Sequence, residues 1–109
     1  MSLFADVRAS NQANIGERRD APRRALQIDA KLRASGAHSF SVVVTDLSLT
    51  GFGCEAVSGL QAGDVCWLTL PGLGGLQAEV MWNNGVRIGC EFSSLLSRPV
   101  HDHVMKRWG

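Results

Sequence analysis

Polar and apolar positions along the chain fall mostly into a period of two. Leu26, Ile28, Ala30 and Leu32 alternate with Gln27, Asp29, Lys31 and Arg33, the pattern of a strand with one buried and one wet face. Ser35-Gly36 supplies a turn, and a second strand runs from Phe40 to Thr45 through Val42-Val43-Val44. Asp46 to Gly51 reads as a loop by content. Phe52, Cys54 and Ala56 restart the alternation. After turn residues at Gly59 to Gly63, Val65 to Leu70 is apolar on both faces, which leaves the side of Trp67 open. Pro71 to Gly75 ends it. Leu76, Ala78, Val80 and Trp82 form one apolar face, and Val86, Ile88, Cys90 and Phe92 form the next. Asn84-Gly85 between them predicts a tight two-residue hairpin turn, because this pair tolerates positive φ. On this pattern Trp82 and Phe92 belong to the core.

The period then changes. Ser97 is placed to cap a helix and Pro99 suits its first turn. Val100, Val104 and Trp108, with Met105 beside them, make one face of a C-terminal helix of about three turns. His101 and His103 read as surface positions on it. Six short strands with turn signals between them predict an all-β chain, an antiparallel barrel or sandwich, with the helix over an open end.

Composition narrows the function. The chain has 109 residues, 45% apolar and 19% charged, which is one globular domain. The formal net charge of +1 argues against a bulk polyanion binder. No apolar run is long enough for a membrane span, and the first 13 residues lack the apolar core of a signal peptide. Cys54, Cys66 and Cys90 contain no CxxC pair, so reduced, buried thiols in a cytoplasmic protein are expected. His101 and His103, two residues apart, chelate poorly on a helix. No GxSxG or HExxH occurs, so catalytic and metal-ligating residues are expected to be none.

Two segments break the pattern of core against solvent. Glu17 to Arg24 holds four Arg and two acids, a local charge of +2, and contains Arg19-Asp20-Ala21-Pro22-Arg23, an RxxxR. Pro22 disfavours helix there. Asp46-Leu47-Ser48-Leu49-Thr50-Gly51 is a DxSxxG. In a chain of this composition about 0.7 RxxxR matches arise by chance, but only about 0.06 DxSxxG matches. Order adds specificity: the arginines precede the first strand, and the second motif joins the second strand to the third. By pattern alone, Asp46 and Ser48 also fit a turn closed by its own side chains.

With Gly63-Asp64 before a strand, Trp82 at a strand end and Gly89-Cys90-Glu91-Phe92 as a GxxF, these motifs resemble the PilZ domain family, bacterial receptors for cyclic di-GMP. The resemblance runs from about Glu17 to Trp108. It implies a flexible arm at 1–16 and a PilZ domain at 17–109, folded as a six-stranded antiparallel β-barrel with a C-terminal α-helix. It also implies that Arg18, Arg19, Arg23, Asp46, Ser48 and Gly51 bind cyclic di-GMP, with no cofactor. The chemistry suits these residue types. An Arg fork matches phosphate oxygens and the O6/N7 edge of guanine. An ionised Asp accepts from guanine N1–H and N2–H. Gly51 is expected to permit a positive φ and a close ligand. A receptor without a second domain is expected to act by changing its contacts with an effector protein, through ordering of the Arg turn. Two other readings compete: a PilZ-like adaptor that takes no nucleotide, and a small nucleic-acid-binding barrel. The second lacks the exposed basic and aromatic face such barrels use.

Overall fold

The computed structural model describes residues 24–109. The expected arm at 1–16 and the candidate residues Arg18, Arg19 and Arg23 lie outside these. Six strands follow in chain order: β1 (Arg24–Ala34), β2 (Phe40–Leu47), β3 (Gly51–Glu55), β4 (Val65–Thr69), β5 (Gly75–Asn83) and β6 (Arg87–Phe92), then helix α1 (Arg98–Trp108). They close into an antiparallel barrel in the order β1-β2-β3-β6-β5-β4. Closure leaves no long sheet edge, which a short six-stranded sheet would otherwise expose.

The alternating apolar residues fill the barrel. Leu32, Val44, Phe52, Leu68, Val80 and Ile88 are fully buried. The Phe52 and Phe92 rings meet at 5.5 Å between centroids and a 39° tilt, as the alternation predicts for Phe92. In β4 the inward positions are Cys66 and Leu68. Trp67 therefore faces outward, where the Arg33 guanidinium lies 4.6 Å from its ring centroid.

Ser97 caps α1 by accepting from the Val100 N–H at 3.3 Å, and Pro99 occupies the first turn. The helix lies against β1 and inserts Val104 into the core. Its buried face holds His101 rather than solvent at that position, a correction to the surface reading. His101 precedes Val104 by three residues, so the two share a face. Of the two helix histidines, His103 alone is exposed.

Two further corrections concern chain reversals. Asp46 and Leu47 belong to β2, so the reversal to β3 is only Ser48 to Thr50; Leu47 is fully buried and holds the strand end to the core. Between β5 and β6 the connection is three residues, not two. There Asn84 Oδ1 accepts from the N–H groups of Val86 and Arg87, and Gly85 takes φ 100°.

The three cysteines are buried and form no disulfide, with Cys66 Sγ and Cys90 Sγ 4.0 Å apart. Burial pushes the Cys54 thiol from 9.0 up to about 12; Cys66 adds to this, Arg87 opposes it and Asp46 adds slightly. Below pH 9 the thiol is protonated in both folded and unfolded chains, and its contribution is complete. Between about pH 9 and 12 the unfolded thiol ionises while the folded one cannot, so stability falls by about 1.4 kcal/mol per pH unit from this group. The chain has no Tyr to mask the effect. Denaturant melts from pH 8 to 11 should show this alkaline loss, and Cys54→Ala should reduce its slope by one proton. An unchanged slope in the variant would assign the loss elsewhere.

Candidate functional site

Strict alternation would turn Asp46 inward, since it shares parity with the core residues Val42 and Val44. A carboxylate there would be desolvated at a cost of several kcal/mol. A bulge between Val44 and Asp46 prevents this. It leaves both Thr45 and Asp46 outside, with Val44 and Leu47 inside. A second bulge between Val80 and Trp82 does the same on β5. Met81 and Trp82 both face out, and Trp82 is 37% exposed. This corrects the placement of Trp82 in the core; Val86, read as part of the next apolar face, is also exposed.

The bulges bring four residues into one lateral row on the outer face. Asp46 pairs with Gly53, Gly53 with Gly89, and Gly89 with Trp82. Three strand spacings separate the ends, about 14 Å. The central glycines are required by close approach. A Cβ at Gly53 would strike the Asp46 carboxylate, and a Cβ at Gly89 would strike the Trp82 indole. The indole thus lies on the bare backbone of β6, and the carboxylate lies over β3. Arg87 stands beside the row. Its Nη2 donates to Asp46 Oδ2 at 3.1 Å and to Thr45 Oγ1 at 2.8 Å. The pair is part-exposed, with side chains 39% and 23% accessible, so solvent screens it. Its main effect is to orient the carboxylate.

The reversal after Asp46 is closed from within. Ser48 is fully buried. Its Oγ accepts from the N–H groups of Thr50 at 3.1 Å and Gly51 at 3.2 Å, and lies 3.0 Å from Thr50 Oγ1. The Ser48 N–H donates to the Gly51 carbonyl at 2.9 Å. Ser48 therefore shapes the loop with its hydroxyl turned away from the surface. Gly51 corrects its expected reason. It does not take a positive φ; a Cβ there would meet the Cys90 carbonyl oxygen across the β3–β6 pairing.

Of the candidate residues, Asp46, Ser48 and Gly51 are thus brought together around one reversal. Arg24 opens β1 opposite Leu47, and Ala25 lies opposite Asp46. Arg23 directly precedes Arg24 in the chain and lies outside the described residues. Sequence reasoning missed Gly53, Arg87 and the outward aspect of Trp82. Gly53-to-Gly89 pairing was the only available signal, and it appears only once the strand register is known.

Among the described residues no helix is long and apolar enough to cross a membrane. No curated protein is significantly similar to the chain. The profile of the PilZ domain matches residues 17–105, spanning the Arg-rich segment, the whole barrel and most of α1, and the chain belongs to the PilZ family.

Proposed function

We propose that this protein is a cyclic di-GMP receptor that changes its contacts with an effector protein when the nucleotide binds. One observation carries the reading: β1, whose N-terminal end continues into Arg23, starts beside the outward Asp46. Arg19 and Arg23, with Arg18, supply forks for phosphates and for the O6/N7 edge of guanine. Asp46, held by Arg87, accepts from guanine N1–H and N2–H. Ser48 and Gly51 contribute through the loop they shape. The Trp82 indole offers a flat face for a purine at the far end of the glycine row. The nucleotide brings the arginines and the loop together, and the surface so formed is the one an effector reads. The protein works by binding and carries out no reaction.

The adaptor reading, in which no nucleotide binds, is favoured by the Asp46–Arg87 pair and the buried Ser48, which give both residues structural duties. Calorimetry separates the two. Cyclic di-GMP should bind, and cyclic di-AMP should bind at least about tenfold more weakly, because adenine presents a donor where guanine presents O6. No heat with cyclic di-GMP would establish the adaptor reading. Equal affinity for both dinucleotides would remove Asp46 from base recognition. Hydrogen exchange should show protection rising at residues 18–24 and 46–51 on saturation; its absence there would overturn the switch.

A further inference from the structure

The barrel wall has a gap. β2 pairs with β1 along its whole length, from Leu47 opposite Arg24 to Phe40 opposite Leu32. It pairs with β3 only from Leu47 back to Val43, opposite Glu55. Beyond Glu55 the chain leaves β2 for β6, where the Ala56 N–H donates to the Val86 carbonyl at 2.9 Å. Among the described residues, the edge of Phe40 to Val42 on that side has no strand neighbour. A groove of about 900 Å³ opens there. Its floor is apolar, with Ala30, Val42, Ala56 and Leu70. One wall carries Val57 and Val86, which are 84% and 62% exposed; the other is the reversal at Pro71 to Leu73.

The lip is acidic. Asp29, Val43 and Glu55 share one row across β1, β2 and β3, so two exposed carboxylates flank Val43 on the outer face. Neither has an ion-pair partner among the described residues. Lys31, which also lines the groove, donates from Nζ to Ser41 Oγ at 2.8 Å, and the charge of Arg87, opposite Glu55, is paired with Asp46, so the lip holds two carboxylates against one ammonium.

We propose that this groove docks an extended segment of a partner protein, added as a short strand on the free edge of β2, with apolar side chains on the groove floor and a basic side chain between Asp29 and Glu55. An unpaired strand edge needs alternating N–H and C=O partners, which a peptide supplies and an acyl chain does not. The two carboxylates select the sign of the segment's charge. The inference does not depend on nucleotide binding.

The probes are capped hexapeptides in which Val or Thr alternates with Arg or Lys, and a matched set carrying Glu instead. They are titrated into the full chain while its backbone amides are followed by NMR. The basic peptides should shift the amides of Ser41 to Val43 and Glu55 to Val57. Glu55→Lys should weaken them about threefold to fivefold, and Val57→Asp should abolish the shifts. Both positions are exposed, so unshifted amides elsewhere will show an intact fold. The proposal is overturned if no basic peptide moves these amides, or if the acidic set binds equally well. It is also overturned if the groove amides shift with protein concentration alone, which would make the occupant a second copy. Phe4 is the one aromatic residue in the first 16 positions; if Phe4→Ser in the full chain moves these amides without peptide, the occupant is the chain's own N-terminal segment, and the proposal again fails.

Discussion

Replacing Arg19 or Arg23 with Ala should weaken cyclic di-GMP binding by about ten- to a hundredfold while leaving the melting curve unchanged. Each arginine is assigned a charge-assisted contact to a phosphate or a guanine edge, and losing one such contact costs about 1.5–3 kcal/mol. The fold should not notice. Both residues precede β1, and neither shares the alternating apolar positions that fill the barrel. Calorimetry on the two variants, beside thermal melts, separates binding from folding. If both bind as the parent does, the nucleotide site is not where the motif puts it. If both unfold, the arginines hold the barrel itself. The contrast with Asp46 is informative: Asp46→Asn keeps the shape but exchanges an acceptor for a donor, so its effect should fall on guanine selectivity more than on phosphate attraction.

The barrel was legible because a one-sided strand must alternate, and four of the six strands, β1, β3, β5 and β6, do so over four or more residues. The helix was legible because its cap, its Pro and its four-residue spacing agree. The outer row was not. A bulge adds one residue to one strand and reverses parity from there on, and no residue type marks it. Val42, Val44 and Asp46 look like one face, as do Ala78, Val80 and Trp82, yet in each case the last residue points the other way. A physical cue was available for Asp46, since a carboxylate in an apolar barrel is costly. None was available for Trp82, which suits a core as well as a surface. The GxxF glycine was legible as a motif, but its reason, an indole resting on it, needed the register. Arg18, Arg19 and Arg23 lie outside the described residues.

Gly51→Ala should be the most damaging small substitution in the loop motif. Gly51 is buried and pairs with Glu91 across β3 and β6. An added methyl would strike the Cys90 carbonyl oxygen and come within 3.1 Å of the Glu91 Cα and 3.2 Å of the Cys90 carbonyl carbon. These are backbone atoms, so no rotamer change relieves the contact; the strands must part. Parting them strains two neighbours. The Phe92 N–H donates to the Thr50 carbonyl at 2.8 Å, and the Gly51 N–H donates to Ser48 Oγ at 3.2 Å, so both the barrel seam and the loop after Asp46 are disturbed together. Overpacking of this kind costs about 1–3 kcal/mol, which lowers the melting temperature by about 10 °C in a domain of this size. Gly59→Ala is the control, because nothing lies within 4 Å of a Cβ there and its φ is not left-handed; it should melt within about 0.5 kcal/mol of the parent. Thermal melts of the two variants with calorimetry on each decide what the motif glycine does. A destabilised Gly51→Ala whose folded fraction still binds cyclic di-GMP makes the glycine a requirement of strand packing. A Gly51→Ala that melts like the parent and loses the nucleotide would make it a requirement of ligand approach, and would refute the packing argument.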